Sequence, residues 1–281
     1  MKADAGEGGA AAALRMDLIR DSEEFRVSTH RLVQFAASVD DVNPRHHSGE
    51  FASPVFAHVP AMQSMVEVLA RAVDRFALHG EHDFLFHRPI VPGQRLFTTS
   101  ALAGVRGNRA GIAYIIRSDT VTHAGEAVCT QYSTCLVRGD ASVLTEGAQV
   151  PERPAIDRSA GRTDRYALTA DQTRRYADAA RDYSPYTIDP AAAAKLGFAA
   201  PLVHGMCTLA FGARAIVDRH CDGETPRLKR LGCRFAHPLL LTADQEISVT
   251  HWSGRDGFVG FEATDKDGNP VIRNGYAQVS R

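Results

Sequence analysis

The feature that most constrains this chain is that its two halves can be laid on one another. Phe25 to Asp41 and Tyr166 to Asp182 both span 16 positions, each with an aromatic start and then an amphipathic helix, Phe35-Ala36-Ala37 against Tyr176-Ala177-Asp178. Asp41-Val42-Asn43-Pro44-Arg45-His46 then runs parallel to Asp182-Tyr183-Ser184-Pro185-Tyr186-Thr187, and Phe51-Ala52-Ser53-Pro54 to Phe198-Ala199-Ala200-Pro201. From Asp to that Pro is 13 positions in the first copy and 19 in the second, so the first overhanging loop is six residues shorter. A repeat of this length means one packing unit used twice, with the same element order in each half.

That order can be read locally. Leu202, Met206, Leu209, Ala210, Ala213, Ile216 and Val217 recur at three- and four-residue spacing, which predicts a buried helix opening at Pro201. Phe84-Leu85-Phe86-His87-Arg88-Pro89 and Cys233-Arg234-Phe235-Ala236-His237-Pro238 follow as strands closed by proline. Alternation at Ile247, Val249 and His251, with turn signals at Ser253–Gly257 and Asp265–Asn269, predicts antiparallel strands with one buried face. Helices on one face of an antiparallel sheet make an α+β layout. The divisions expected are a disordered tail over 1–20, one unit over 21–138, a polar linker over 139–163 with Pro151 and Pro154, and a second unit over 164–281.

Composition removes several classes of function. A formal net charge of -1 gives no electrostatic reason to bind nucleic acid or membranes. No apolar run approaches the roughly 18 residues of a membrane span, and the Ala/Gly-rich start lacks the apolar core of a signal peptide. Five cysteines, an odd number without metal-ligand spacing, point to reduced thiols in a cytoplasmic protein with no metal.

The stretch from Tyr176 to Gly205 resembles the signature of the MaoC-like (R)-specific enoyl-thioester hydratases and dehydratases. Tyr176, Asp182, Pro185, Asp189, Pro190, Ala193, Gly197, Phe198, Pro201, His204 and Gly205 fit it, while Ser184 stands at the family's Asn and Thr187 at its catalytic His. The resemblance implies a tandem double hotdog from about residue 20 to the end. It also implies water added to, or lost from, an enoyl or 3-hydroxyacyl thioester on CoA or a carrier protein. No cofactor beyond the CoA or phosphopantetheine carrier, and a homodimer, go with it.

On that footing Asp182 activates or orients the reacting group and the Gly205 amide binds the thioester oxygen as it gains charge. Tyr183, Ser184, Tyr186, Thr187, His204 and Asn43 are the candidate substrate contacts, and Asp189 caps the short helix at Pro190. A threonine hydroxyl does not titrate near neutrality, so Thr187 cannot replace a histidine as base. The first copy keeps the missing group in Asp41 and His46, yet has Ala57-His58 where the second has His204-Gly205. Three readings stay open: hydration or dehydration with His46 or a tyrosine as surrogate, isomerisation or cyclisation of a polyketide-like chain, and a non-catalytic acyl-binding partner.

Overall fold

The computed structural model describes residues 16–108, 111–139, 145–156, 158–254 and 256–280. The expected tail over 1–15 and positions 140–144 and 157 of the expected linker lie outside these. The first copy comprises β1 (Ile19–Asp21), β2 (Phe25–Arg26), α1 (Thr29–Ser38), α2 (Pro44–Ser48), a 3-10 segment (Pro54–Ala61) and α3 (Met62–Ala72). It continues with β3 (Leu78–Phe86), β4 (Arg95–Asn108), β5 (Gly111–Thr122), β6 (Ala127–Arg138) and β7 (Thr145–Gly147). The second copy opens with β8 (Arg162–Ala167), α4 (Gln172–Ala180), α5 (Pro185–Ile188), α6 (Pro190–Lys195) and α7 (Gly205–His220). A 3-10 turn (Thr225–Arg227) leads into β9 (Leu228–Phe235), β10 (Glu246–Ser253), β11 (Phe258–Thr264) and β12 (Pro270–Val279).

One antiparallel sheet joins everything, in the order β1-β4-β5-β6-β3-β9-β12-β11-β10-β8, with β2 and β7 paired to β4. The copies meet where β3 pairs β9, Glu81 opposite Arg234 through Leu85 opposite Arg230. The 149-residue offset that lays Phe86 on Phe235 also lays Asp83 on Gly232, and these two are paired. The local two-fold therefore passes through that pair. Beside it Arg230 donates to Asp83 through Nη2 (2.6 Å) and Nε (3.1 Å), and to the Tyr276 hydroxyl and the carbonyls of Pro151 and Glu152.

The expected helices on one face of an antiparallel sheet are present, and the main core runs through both copies. Leu32 and Phe35 of α1, Phe56 of the 3-10 segment, Tyr176 of α4 and Leu209, Phe211 and Ile216 of α7 pack against Leu231 and Phe261. Asp189 caps α6 by accepting from the Ala191 amide. Among the described residues no helix is long and apolar enough to cross a membrane.

Several boundaries differ from the sequence expectation. The buried helix opens at Gly205 rather than Pro201, because Leu202 bridges Leu240 and the Val203 amide donates to the Leu239 carbonyl, which keeps that stretch extended. In the first copy Pro60, with no amide to donate, holds Pro54–Ala61 in 3-10 form until α3 starts at Met62. Residues 16–20, expected in the tail, belong to the fold: Leu18 is buried and β1 pairs with β4. The expected linker carries β7, paired to β4, and the start of β8.

Candidate active site

Asp182 follows α4, where Arg181 takes a left-handed backbone (φ 58) and turns the chain. The Asp182 Oδ1 accepts from the Ser184 amide (3.1 Å) and hydroxyl (2.7 Å), which shapes the loop leading to Pro185. Thr187 is buried, and its hydroxyl donates to the Ser184 carbonyl at 2.7 Å. His204 Nε2 lies 3.0 Å from both the Asp182 carbonyl and the Thr187 oxygen. A carbonyl only accepts, so Nε2 carries the proton, and Nδ1 is left buried with no partner. Burial pushes the His204 pKa down against the pull of Asp182, which keeps the ring neutral. His204 thus ties the loop together through the backbone and does not touch the Asp182 carboxylate.

The other candidates at this end are partly dispersed. Tyr186 packs edge-on against Phe76 with centroids 5.2 Å apart, and burial raises its phenol pKa. Tyr183 is 57% exposed and its phenol bonds to Asp178, so the structure does not bring it together with the rest. Gly205 opens α7, and a Cβ there would come within 3.3 Å of the Phe235 ring. The first copy supplies neighbours that sequence reading missed. His79 packs against Phe235 and stands 3.2 Å from His82 Nδ1, and His58 Nδ1 meets Gln131 at 3.0 Å. Burial lowers all three, and facing imidazoles add to it for His79, which falls to about 3, and for His82.

At the far end of α7 the first-copy motif is assembled differently. Asp41 and His46 are buried, with only 3% and 1% of their surface exposed. Asp41 Oδ1 accepts from the Asn43 amide (2.9 Å), and Asn43 caps α2 by accepting from Arg45 N (3.0 Å). This places His46 Nδ1 2.7 Å from Asp41 Oδ2. His46 Nε2 is 2.7 Å from the Thr225 hydroxyl of the second copy. The loop after α7 is gripped residue by residue: Asn43 donates to the Gly223 carbonyl (2.8 Å), Arg45 pairs with Glu224 (2.6 Å) and His46 meets Thr225. Sequence reading missed Thr225, which lies 179 positions from His46 and outside both repeated motifs.

A cavity of about 90 Å³ opens beside this motif. Ser53, Ala57, Phe86, Val128, Thr225 and Leu228 line it, with Arg88 and Lys229 also on its wall. Ser53 starts the 3-10 segment without capping it. A wider cleft of about 960 Å³ near Leu168, Pro201 and Leu241 contains none of the candidate site residues. The two motifs flank opposite ends of α7, whose 16 residues span about 24 Å, and His46 makes its contacts with Asp41 and Thr225 rather than with Asp182. Isolated from one another, the imidazole–carboxylate pair sits at one end and the helix N-terminal amides at the other.

Residues 152–267 match the MaoC-like domain family, and residues 18–131 match the FAS1-like dehydratase domain region. The peroxisomal multifunctional enzyme type 2 of Drosophila melanogaster is 26% identical over 285 residues, 94% of this chain and 47% of that protein, so the chain spans about half its length. A probable enoyl-CoA hydratase 2 of Dictyostelium discoideum is 25% identical over 243 residues, 81% of this chain and 80% of that protein. The crystal structure of a MaoC-like dehydratase from Phytophthora capsici superposes with a TM-score of 0.82 at 20% identity, over 94% of this chain and 95% of that one. The shared architecture is the double hotdog. The second copy is thus matched as a MaoC-like domain and the first as a FAS1-like dehydratase region, the two joined in one double hotdog.

Proposed function

We propose that this protein adds water to an enoyl thioester, or removes it from a 3-hydroxyacyl thioester, with Asp41 and His46 as the acid–base pair. The observation that carries this reading is the 2.7 Å contact between the buried Asp41 carboxylate and His46, next to an apolar cavity. The reaction needs a proton acceptor that later returns the proton, and an imidazole oriented by a carboxylate supplies one. The name of the Dictyostelium relative, enoyl-CoA hydratase 2, fits the same chemistry. A cavity of about 90 Å³ takes a few carbons of an acyl chain beside Phe86 and Val128. On this reading Arg88 and Lys229, on the cavity wall, would meet the phosphates of CoA or phosphopantetheine, and Ser53, which also lines it, would donate to the thioester oxygen. Hydration changes no oxidation state overall, so the reaction calls for no redox cofactor. The same reading takes the protein to be cytoplasmic, in keeping with five unpaired buried cysteines, and a homodimer, which light scattering would test.

A second reading keeps the chemistry at the other end, with Asp182 orienting the substrate and the Gly205 amide holding the thioester oxygen. It is favoured by the α7 N-terminus, where amides without intrahelical partners and the helix dipole suit a developing negative charge. Ser184, Tyr186, Thr187 and His204 would then shape the pocket, but none of them offers a proton acceptor oriented like His46. The test is hydration of crotonyl-CoA and a longer trans-2-enoyl-CoA by wild type, His46→Ala and Asp182→Asn. Loss of about 100-fold or more in kcat in His46→Ala, with Asp182→Asn near wild type, supports the first reading. The reverse pattern supports the second. No turnover by wild type on either substrate would favour isomerisation, cyclisation or an acyl-binding partner role.

A further inference from the structure

His46 does not itself line the cavity. Its ring is almost fully buried, with Nδ1 held by Asp41 and Nε2 by Thr225, whereas Thr225 is on the cavity wall and only partly buried. An ionised Asp41 can only accept, so Nδ1 carries the imidazole proton and Nε2 is the acceptor. The Thr225 hydroxyl therefore donates to Nε2, which leaves its oxygen lone pairs for a molecule in the cavity. Hydroxyl, imidazole and carboxylate in series, at 2.7 Å and 2.7 Å, form the arrangement that makes a hydroxyl basic.

We propose that Thr225 is a catalytic residue, contacting the reacting water and passing its proton to His46. This inference rests on the thioester-hydration reading above. As the water oxygen bonds to C3 of the enoyl thioester, the C2–C3 π electrons move toward the thioester oxygen. The water proton goes to the Thr225 oxygen while the Thr225 proton goes to His46 Nε2. In the second half-step the imidazolium returns a proton through Thr225 to C2, which regenerates neutral His46. The net change is one water added, and dehydration runs the same path backwards.

The fold holds Thr225 in place through its neighbours: Asn43 on Gly223, Arg45 on Glu224, and Pro226 inside the 3-10 turn. It also provides the relay only once. The offset that relates β3 to β9 puts Phe76 at the position of Thr225, and Phe76 packs on Tyr186 beside Thr187, with neither hydroxyl nor imidazole to continue a chain. The first-copy site is thus completed by the second copy.

The experiment compares Thr225→Val, Thr225→Ser and His46→Ala with wild type on crotonyl-CoA, with thermal melts of each and intact mass after incubation. The expected result is a fall in kcat of about 100-fold in Thr225→Val with KM within about threefold, and recovery to within about fivefold of wild type in Thr225→Ser. Thr225→Val within threefold of wild type, while His46→Ala is inactive, overturns the relay and leaves the hydration reading standing. Full turnover in His46→Ala, or none in wild type, overturns both. If Thr225→Val does not fold, Thr225→Ser decides: activity kept supports the relay, and activity below about one-hundredth overturns it. An acyl adduct on Thr225 by mass also overturns it, in favour of covalent chemistry.

Discussion

Arg230→Met should remove a large share of the stability of this protein. Arg230 has only 11% of its side chain exposed, and Asp83 has 1%. Truncation takes away all three bonds to the carboxylate and leaves Asp83 as a charge without its cation at the centre of a continuous sheet. Removing one partner of a buried ion pair costs about 3–5 kcal/mol. The buried Tyr276 hydroxyl and the partly buried Pro151 and Glu152 carbonyls lose a donor as well. Against a total of roughly 5–15 kcal/mol, a loss of about 4 kcal/mol is severe. It corresponds to a fall in melting temperature of about 10 °C for a domain of this size. Urea and thermal unfolding followed by circular dichroism measure it directly. The double variant Asp83→Leu/Arg230→Met should recover most of the loss, since the desolvation cost of both charges disappears together. A single variant within 1 kcal/mol of wild type would show that Asp83 finds solvent or another donor, and would refute the reasoning.

Acid should destabilise the fold well before its carboxylates protonate. His58, His79 and His82 are held below the ordinary value of 6.5 by burial, and His79, at about 3, and His82 also by neighbouring imidazoles. The unfolded chain therefore binds more protons than the folded one below pH 6.5. Stability from these groups is complete above that pH and is lost as pH falls from 6.5 toward 3, by up to about 1.4 kcal/mol per unit for each histidine. Urea midpoints across that range, in wild type and His82→Gln, measure the slope, and an unchanged midpoint from pH 7 to pH 5 would contradict it. All five cysteines are buried, and burial raises every thiol, Cys135 and Cys221 to about 12. An aromatic disulfide reagent at pH 7.5 should leave the native protein unmodified over minutes and titrate five thiols in denaturant.

Much of the fold was legible because its signals are local. The amphipathic run at Phe35-Ala36-Ala37, the cap at Asp189 and the turns after Ser253 and Thr264 are written in short windows. The start of α7 was misread because Pro201, a good first-turn residue, is drawn into an extended bridge by Leu239 and Leu240 far along the chain. β3 reads as a polar segment, with His79, Glu81, His82 and Asp83, yet it lies between β6 and β9 in mid-sheet, where Arg230 meets Asp83, Arg153 meets Glu81 and His79 meets His82, whose Nε2 stays buried without a partner. At the site, Asp41, Asn43 and His46 could be picked out from the internal repeat and the family resemblance. Thr225 could not, since its role is fixed by Asn43 and Arg45 reaching across to a loop of the other copy.

The pairing of β3 with β9 inside one chain also changes what substitutions can do. In a dimer of identical subunits every replacement is made twice, and both ends of the assembly must tolerate it. Here the two ends of α7 are separately encoded. One keeps His46 over Thr225 where the other has Tyr186 against Phe76, and one opens a helix at Gly205 where the other winds a 3-10 segment through His58. Each pocket can therefore drift toward its own chemistry while the shared sheet keeps both in register, a freedom that symmetry denies to paired copies of a single gene product.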